Sequence, residues 1–245
     1  MSPEFIILLS ATMFFIAFLY SSVGHAGASG YIAVLTLFSF APAEIKPIAL
    51  VLNILVASIG SWQFWRAGHF SWKLFWPFAI LSFPMAYLGG YLDLPTHIFK
   101  VIVGFVLMFS AIRFLIPQNT DSELTVPSKP VSLGVGAFLG LLSGLTGTGG
   151  GIFLTPILLL MRWTTVKTAA ALSVFFILVN SVSGLLGNFS ATKTLPLFAL
   201  PLGVAVIVGG SMGSYLGSKI LQPSTIKKLL AIVLILAGTK LIFTS

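Results

Sequence analysis

Long apolar runs separated by short polar breaks make up this chain. They fall at about 4–20, 31–41, 47–65, 74–92 and 98–116, then at about 131–142, 152–161, 166–187, 195–218 and 226–243. The runs lack the strict polar–apolar alternation of a barrel strand, and in lipid a helix satisfies its own backbone hydrogen bonds. The pattern predicts an all-α polytopic membrane protein. Two runs, 31–41 and 152–161, are short. At ~1.5 Å per residue each covers about half of a ~30 Å hydrocarbon core. The second also contains Pro156. Each pairs with the run before it in one of two ways. It is either a re-entrant hairpin with a glycine-rich stretch at the tip, or a second span made by continuing helix through the glycines. On both readings the pair begins and ends on the same side of the bilayer.

The two sets of runs match feature by feature. Gly30-Tyr31 aligns with Gly151-Ile152, the turn 43–46 with 164–167, and 88–92 with 212–216. Pro95 and Lys100 align with Pro223 and Lys228, and Arg113 with Lys240. Paired prolines recur in the fourth runs, Pro77 and Pro84 against Pro196 and Pro201. The chain therefore reads as a first membrane repeat, 1–116, a polar linker, 117–130, and a second repeat, 131–245. The expected fold is two repeats of about five helical segments each, with paired broken or re-entrant helices at the glycine stretches. After one hairpin and three further crossings, the second repeat starts inverted relative to the first.

Loop charges bear on the orientation. On this topology nine of the 13 Lys and Arg residues lie on one side (Arg66, Lys73, Arg113, Lys129, Arg162, Lys167, Lys219, Lys227, Lys228) and four on the other (Lys46, Lys100, Lys193, Lys240). The richer side is expected to be cytoplasmic, which places both termini in the periplasm and the chain in the inner membrane. No basic residue precedes the first apolar run, the first being Lys46, so that run is expected to be a retained span and not a cleaved signal. Gly209, Gly213 and Gly217 form a four-residue stripe that suits close packing, inside the fold or in a homodimer.

Composition sharpens the class. The chain has 245 residues, of which 57% are hydrophobic and 7% charged, and its mean hydropathy is +1.07. A soluble domain carries roughly a quarter charged residues. The net charge of +8 reads as loop cations, not as a nucleic-acid surface. Without cysteine, disulfides and thiolate-metal sites are excluded. No metal-ligand spacing, nucleophile–base pair or phosphate loop stands out, so neither a cofactor nor an enzyme is expected.

The five acids, Glu4, Glu44, Asp93, Asp121 and Glu123, lie at run ends or in the linker. Cation carriers and proton pumps place carboxylates within their spans, so a metal-cation carrier is disfavoured, although carbonyl-only cation sites remain open. Anion binding needs donors, and two stretches offer them: 21–30, SSVGHAGASG, and 143–151, SGLTGTGGG. Backbone N–H groups at the starts of the short runs carry a favourable helix dipole. The expected substrate-binding residues are Ser22, His25, Gly27, Ser29 and Gly30 from the first stretch and Thr146, Thr148, Gly149, Gly150 and Gly151 from the second. Asn53 and Asn180, on the third runs, join them. The same glycines would equally serve close helix crossing, and the amides interhelical hydrogen bonding. His25 is the titratable side chain of the two stretches and the expected proton carrier if protons are the coupling ion. Trp62, Trp65, Trp72 and Trp76 flank Arg66 and Lys73 as an interfacial belt.

The residues 144–160 (GLTGTGGGIFLTPILLL), 166–187 (VKTAAALSVFFILVNSVSGLLG) and 209–220 (GGSMGSYLGSKI), with a weaker duplicate in the first half, resemble the TauE/SafE family of sulfite and organosulfonate permeases. The resemblance spans nearly the whole chain. The first copy differs, having His25, Ala26, Ala28 and Ser29 where glycines are common in the family. The resemblance implies a secondary carrier of a small sulfur-containing anion, such as sulfite or a sulfonate like sulfoacetate, with export the commoner assignment. A passive anion channel and a non-transporting membrane assembly protein are the alternatives.

Overall fold

The fold is seen in a computed structural model, which describes residues 3–22, 25–115, 124–194, 196 and 199–219, and helical positions 231–232, 234–236, 238–240 and 242–243. Gly24, Asp121, Glu123, Pro223, Lys227 and Lys228 lie outside the described residues, as do the side chains of Arg113 and Lys219 and the packing of Gly217. Among the described residues there is no strand. The elements are α1 (Pro3–Ser22), α2 (Ala28–Leu37), α3 (Pro42–Arg66), α4 (Trp72–Tyr91), α5 (Thr96–Leu115), α6 (Lys129–Thr146), α7 (Gly151–Leu160), α8 (Val166–Thr192) and α9 (Ala199–Lys219). Five of them, α1, α3, α6, α8 and α9, are long and apolar enough to cross a membrane. This is an integral membrane protein built of helices.

Local chemistry explains the boundaries. Pro42 opens α3, where a missing N–H costs nothing, and the Glu44 carboxylate accepts from the Ala41 amide at 3.2 Å. Thr165 caps α8 by accepting from the Thr168 amide. The two short helices have ten residues each and end in the same way. The Ser39 amide donates to Thr36 and the Phe40 amide to Leu35, and 123 positions later Arg162 donates to Leu159 and Trp163 to Leu158. Ser39 (φ 61) and Arg162 (φ 56) both take the left-handed conformation that closes a Schellman motif. Lys240 then covers the end of α2, donating to Thr36 O, Leu37 O and Ser39 Oγ at 2.9–3.1 Å.

Each short helix returns to the level its partner left. The Phe38 ring, just past α2, lies 5.6 Å from Phe5 near the start of α1. Thr125, just before α6, donates through its amide to Arg162 O at 2.8 Å, just past α7. Both α1–α2 and α6–α7 are hairpins whose tips are the glycine stretches.

The helix pairings exchange when the halves are exchanged. α4 lies along α6 as α9 lies along α1, α8 packs on α4 as α3 packs on α9, and α3 and α8 cross one another. Glycine sets the closest approaches. Gly136, Gly140 and Gly144 of α6 have no room for a Cβ against the carbonyls of Phe78, Ser82 and Ala86. Gly209 and Gly213 of α9 lie likewise on Phe14 and Phe18. The stripe read at Gly209 and Gly213 therefore packs inside the fold.

Two details differ from the sequence reading. α2 starts at Ala28, not near 31, because Gly27 in a left-handed conformation (φ 100) opens the helix and Ala28, Ser29 and Gly30 then pack, buried, in its first turn. The register between the short helices is accordingly 123 positions, so Gly27 matches Gly150 and His25 matches Thr148. The second detail is Lys46, which was counted as a loop charge. It is buried within α3 at 7% exposure, so it drops out of the smaller set of loop charges.

Candidate anion site

The two breaks have one local design. α6 stops at Gly147 (φ 79), whose amide donates back to Ser143 O at 2.8 Å. Gly149 (φ 73) and Gly150 (φ 77) then turn the chain into α7. A side chain at these φ values would be strained. Neither Gly27 nor Gly150, the residues before the two short helices, offers a side chain to cap the first turn. Each short helix therefore begins with a first turn that no side chain of the preceding residue caps and with the positive end of its dipole, worth roughly half a charge.

These two helix starts meet. A small cavity, with room for about one water molecule, is lined by His25, Gly27, Ala28 and Ser29 from the first break and by Thr148 and Ile152 from the second, with Tyr20 and Ile177 as walls. It lies beside the middle of α8, since Gly149 and Gly151 both pack on Ile177. His25 and Ala26 also line a second small space, which runs past Val56, Gly60, Phe64 and Val174 to Ser214. Ser214 there donates to Gln63. His25 thus stands between the two spaces.

Of the sequence-derived residues, the structure gathers His25, Gly27, Ser29 and Thr148 around one cavity. The Ser29 hydroxyl is paired with Tyr20 OH at 2.9 Å, and Thr148 with Thr146 at 2.9 Å. Others serve the walls. Ser22 donates to Leu19 O and Thr146 to Leu142 O, both at 2.7 Å. Gly30 packs against Ile16 and Tyr20, and Gly151 against Ile177 and Ser173 O. Gly149 and Gly150 sit against Ser181 and Ser143 respectively.

The amides form a second ring around the 147–150 loop. Asn53, fully buried, donates through Nδ2 to Gly147 O at 3.2 Å, which turns its Oδ1 away without a partner. Asn180 is fully buried with neither amide atom paired, and the Ser143 and Ser181 hydroxyls beside the loop are likewise unpaired. Buried polar groups are normally satisfied; Ser21, Thr36 and Ser61 elsewhere in the fold have hydroxyls without a protein partner as well. Ser143, Ser181 and Tyr20 were not in the sequence-derived site. Ser181 stands beside Asn180 among the polar residues of the third runs that could line a cavity; Tyr20 could not be found, since it ends an ordinary apolar run. Among the described residues no three His, Asp or Glu side chains gather as a metal site.

Comparison with known proteins decides the family. The sulfite exporter TauE/SafE family profile matches residues 9–241. The chain belongs to the TauE/SafE family. It is 40% identical over 240 residues to the probable membrane transporter protein y4hK of Sinorhizobium fredii, covering 96% of this chain and 97% of that one. It is 25% identical to the probable membrane transporter protein YdhB of Bacillus subtilis, over 96% of this chain and all of that one. An Arabidopsis thaliana sulfite exporter TauE/SafE family protein 5 is 30% identical over 41% of this chain and 23% of its own. No solved structure matches the chain significantly. As a TauE/SafE protein it is a membrane transporter, and the family implies a small anionic substrate.

Proposed function

We propose that this TauE/SafE protein is a secondary carrier of a small sulfur-containing anion, sulfite or a sulfonate such as sulfoacetate. The anion binds between the starts of α2 and α7. The observation that carries the reading is the cavity shared by Gly27, Ala28 and Ser29 with Thr148 and Ile152. Two helix N-termini, at roughly half a positive charge each, hold about one negative charge without a cationic side chain in the wall. His25 adds a donor, and its protonation strengthens the attraction. Phe64, Val56 and Val174 along the adjoining space, and Ile177 at the site, make poor walls for an open aqueous pore and favour a carrier over a channel. The exchange of helix pairings between the halves supports the inverted repeat, hence alternating exposure of one site. On the loop charges, both termini face the periplasm and the protein sits in the inner membrane.

The test is thermal denaturation of the purified protein with sulfite, sulfate, thiosulfate, sulfoacetate and acetate. A ligand that binds only the folded state raises its stability, by ~2.7 kcal/mol at a hundred times Kd. Stabilisation by sulfite or sulfoacetate well beyond acetate is expected. An equal response to all five would sink the sulfur-anion reading.

A further inference from the structure

Lys46 is, among the described residues, the one charged side chain that is buried. It lies in the second turn of α3, in sequence that reads as a loop. Its ammonium donates to Gly90 O at 3.1 Å and to Leu92 O at 3.0 Å, the carbonyl end of α4. Its backbone and side-chain stem press on the second glycine break: a Cβ built on Gly147 would lie 3.0 Å from Lys46 O and 3.4 Å from its Cγ. The next residue of that break, Thr148, lines the cavity between the helix starts. α6 ends against the same place, since Gly144 packs on Ala86 and Gly90. The ammonium therefore covers the carbonyl end of α4, beside which α6 ends, while the backbone and stem of Lys46 pack one residue away from Thr148 of the site wall.

A charge inside a membrane span is costly and in general marks function. Two carbonyl ends could be covered by neutral donors, as Asn53 does for Gly147 O. What a neutral donor cannot supply is a field. Asp93, at the exposed end of α4, is the carboxylate that interacts with Lys46, and water and salt screen it from the interior. The buried charge acts through low-dielectric protein and is screened far less.

Resting on the anion reading above, we propose that Lys46 is a positioning residue for the substrate. Its fixed positive charge behind the Gly147–Thr148 turn cancels the negative end of α4 and raises the affinity of the cavity for anions. It does not touch the substrate. Because attraction to a fixed charge scales with the charge of the ligand, Lys46 favours divalent over monovalent anions.

The experiment is titration of wild-type, Lys46→Gln, Lys46→Met and Lys46→Arg protein in detergent with sulfate and with methanesulfonate. Lys46→Gln keeps a donor for the carbonyls and loses the charge; Lys46→Arg keeps the charge. Removing the charge is expected to weaken methanesulfonate binding on the order of tenfold and sulfate binding by roughly the square of that factor. Lys46→Arg is expected to stay within about threefold of wild type. A merely structural role would lower the melting temperature of the neutral variants and leave the Kd of the folded protein unchanged, or weaken both anions equally; either result overturns the proposal. So does an Arg variant as weak as Gln. Should neither neutral variant fold, wild type and Lys46→Arg decide: a preference for sulfate over methanesulfonate that the Arg variant keeps supports the field, and equal affinity of wild type for both anions, or loss of the preference in Lys46→Arg, contradicts it. Wild-type protein that binds neither anion, nor sulfite or sulfoacetate, removes the anion reading itself, which is a different result from wild-type and neutral variants binding alike.

Discussion

Gly149 and Gly150 carry the sharpest consequence at the scale of single residues. Both have φ above +70°, and a side chain at either would strike Ile177, Ser181, Phe176 or Ser143. Gly149→Leu and Gly150→Leu are expected to abolish transport, since the side chain closes the approach to the α7 amides. Transport assays paired with membrane-fraction blots check this; wild-type rates in both would leave these glycines as packing alone. His25 predicts a pH effect. Protonated imidazole adds a positive charge to the cavity, so anion affinity is greater with His25 protonated and falls when it loses the proton. His25→Gln keeps a hydrogen-bonding group without that charge. It is expected to flatten the pH dependence of initial rates between about pH 5.5 and 7.5. Superimposable pH profiles would take His25 out of the mechanism.

At the scale of elements, the two short helices show what makes the site: each starts at an uncapped left-handed glycine and ends in a Schellman turn. The turn at Ser39 uses a residue with a Cβ at φ 61, which costs ~1–2 kcal/mol relative to glycine. Ser39 also accepts one of the three hydrogen bonds from Lys240. Ser39→Gly is therefore expected to be nearly neutral in melting temperature, and Ser39→Val to lower stability by ~1–2 kcal/mol or more. A valine variant as stable as wild type would contradict the turn.

Much of this scale was legible beforehand. The short lengths of 31–41 and 152–161, and the glycines before them, announced paired segments that begin and end on one side, and left open whether each is a re-entrant hairpin or a second span. The start of α2 was not legible. Ala28, Ser29 and Gly30 look like loop until Tyr20 and Ile16 are seen packed against them, and the wrong start shifted the register that pairs His25 with Thr148. Lys46 was misread for a similar reason: three residues after Ala43 a lysine looks like a loop cation, and what holds it inside are carbonyls more than forty positions away.

Across the whole molecule, α6 lies on α4 through Gly136, Gly140 and Gly144, a stripe the sequence carries as openly as Gly209 and Gly213 but whose partner only the fold reveals. Gly140→Leu must push α6 off the Ser82 backbone, and is expected to remove folded protein from the membrane altogether. Normal yield and melting behaviour would mean that the α4–α6 contact does not hold the halves together. The orientation has its own measurement. In this cysteine-free chain, Glu4→Cys and Ser128→Cys should react with an impermeant thiol reagent from opposite sides of the membrane; reaction from the same side would end the inverted arrangement.

The central claim is that a small sulfur anion crosses the membrane through the cavity between the starts of α2 and α7. Its most direct test is the flux of sulfite into proteoliposomes holding wild-type protein or Gly150→Leu, against protein-free liposomes. The account predicts saturable, gradient-driven uptake with counterflow for wild type, and the background rate for Gly150→Leu. Wild-type flux at the protein-free level, or equal flux through wild type and Gly150→Leu, would contradict it.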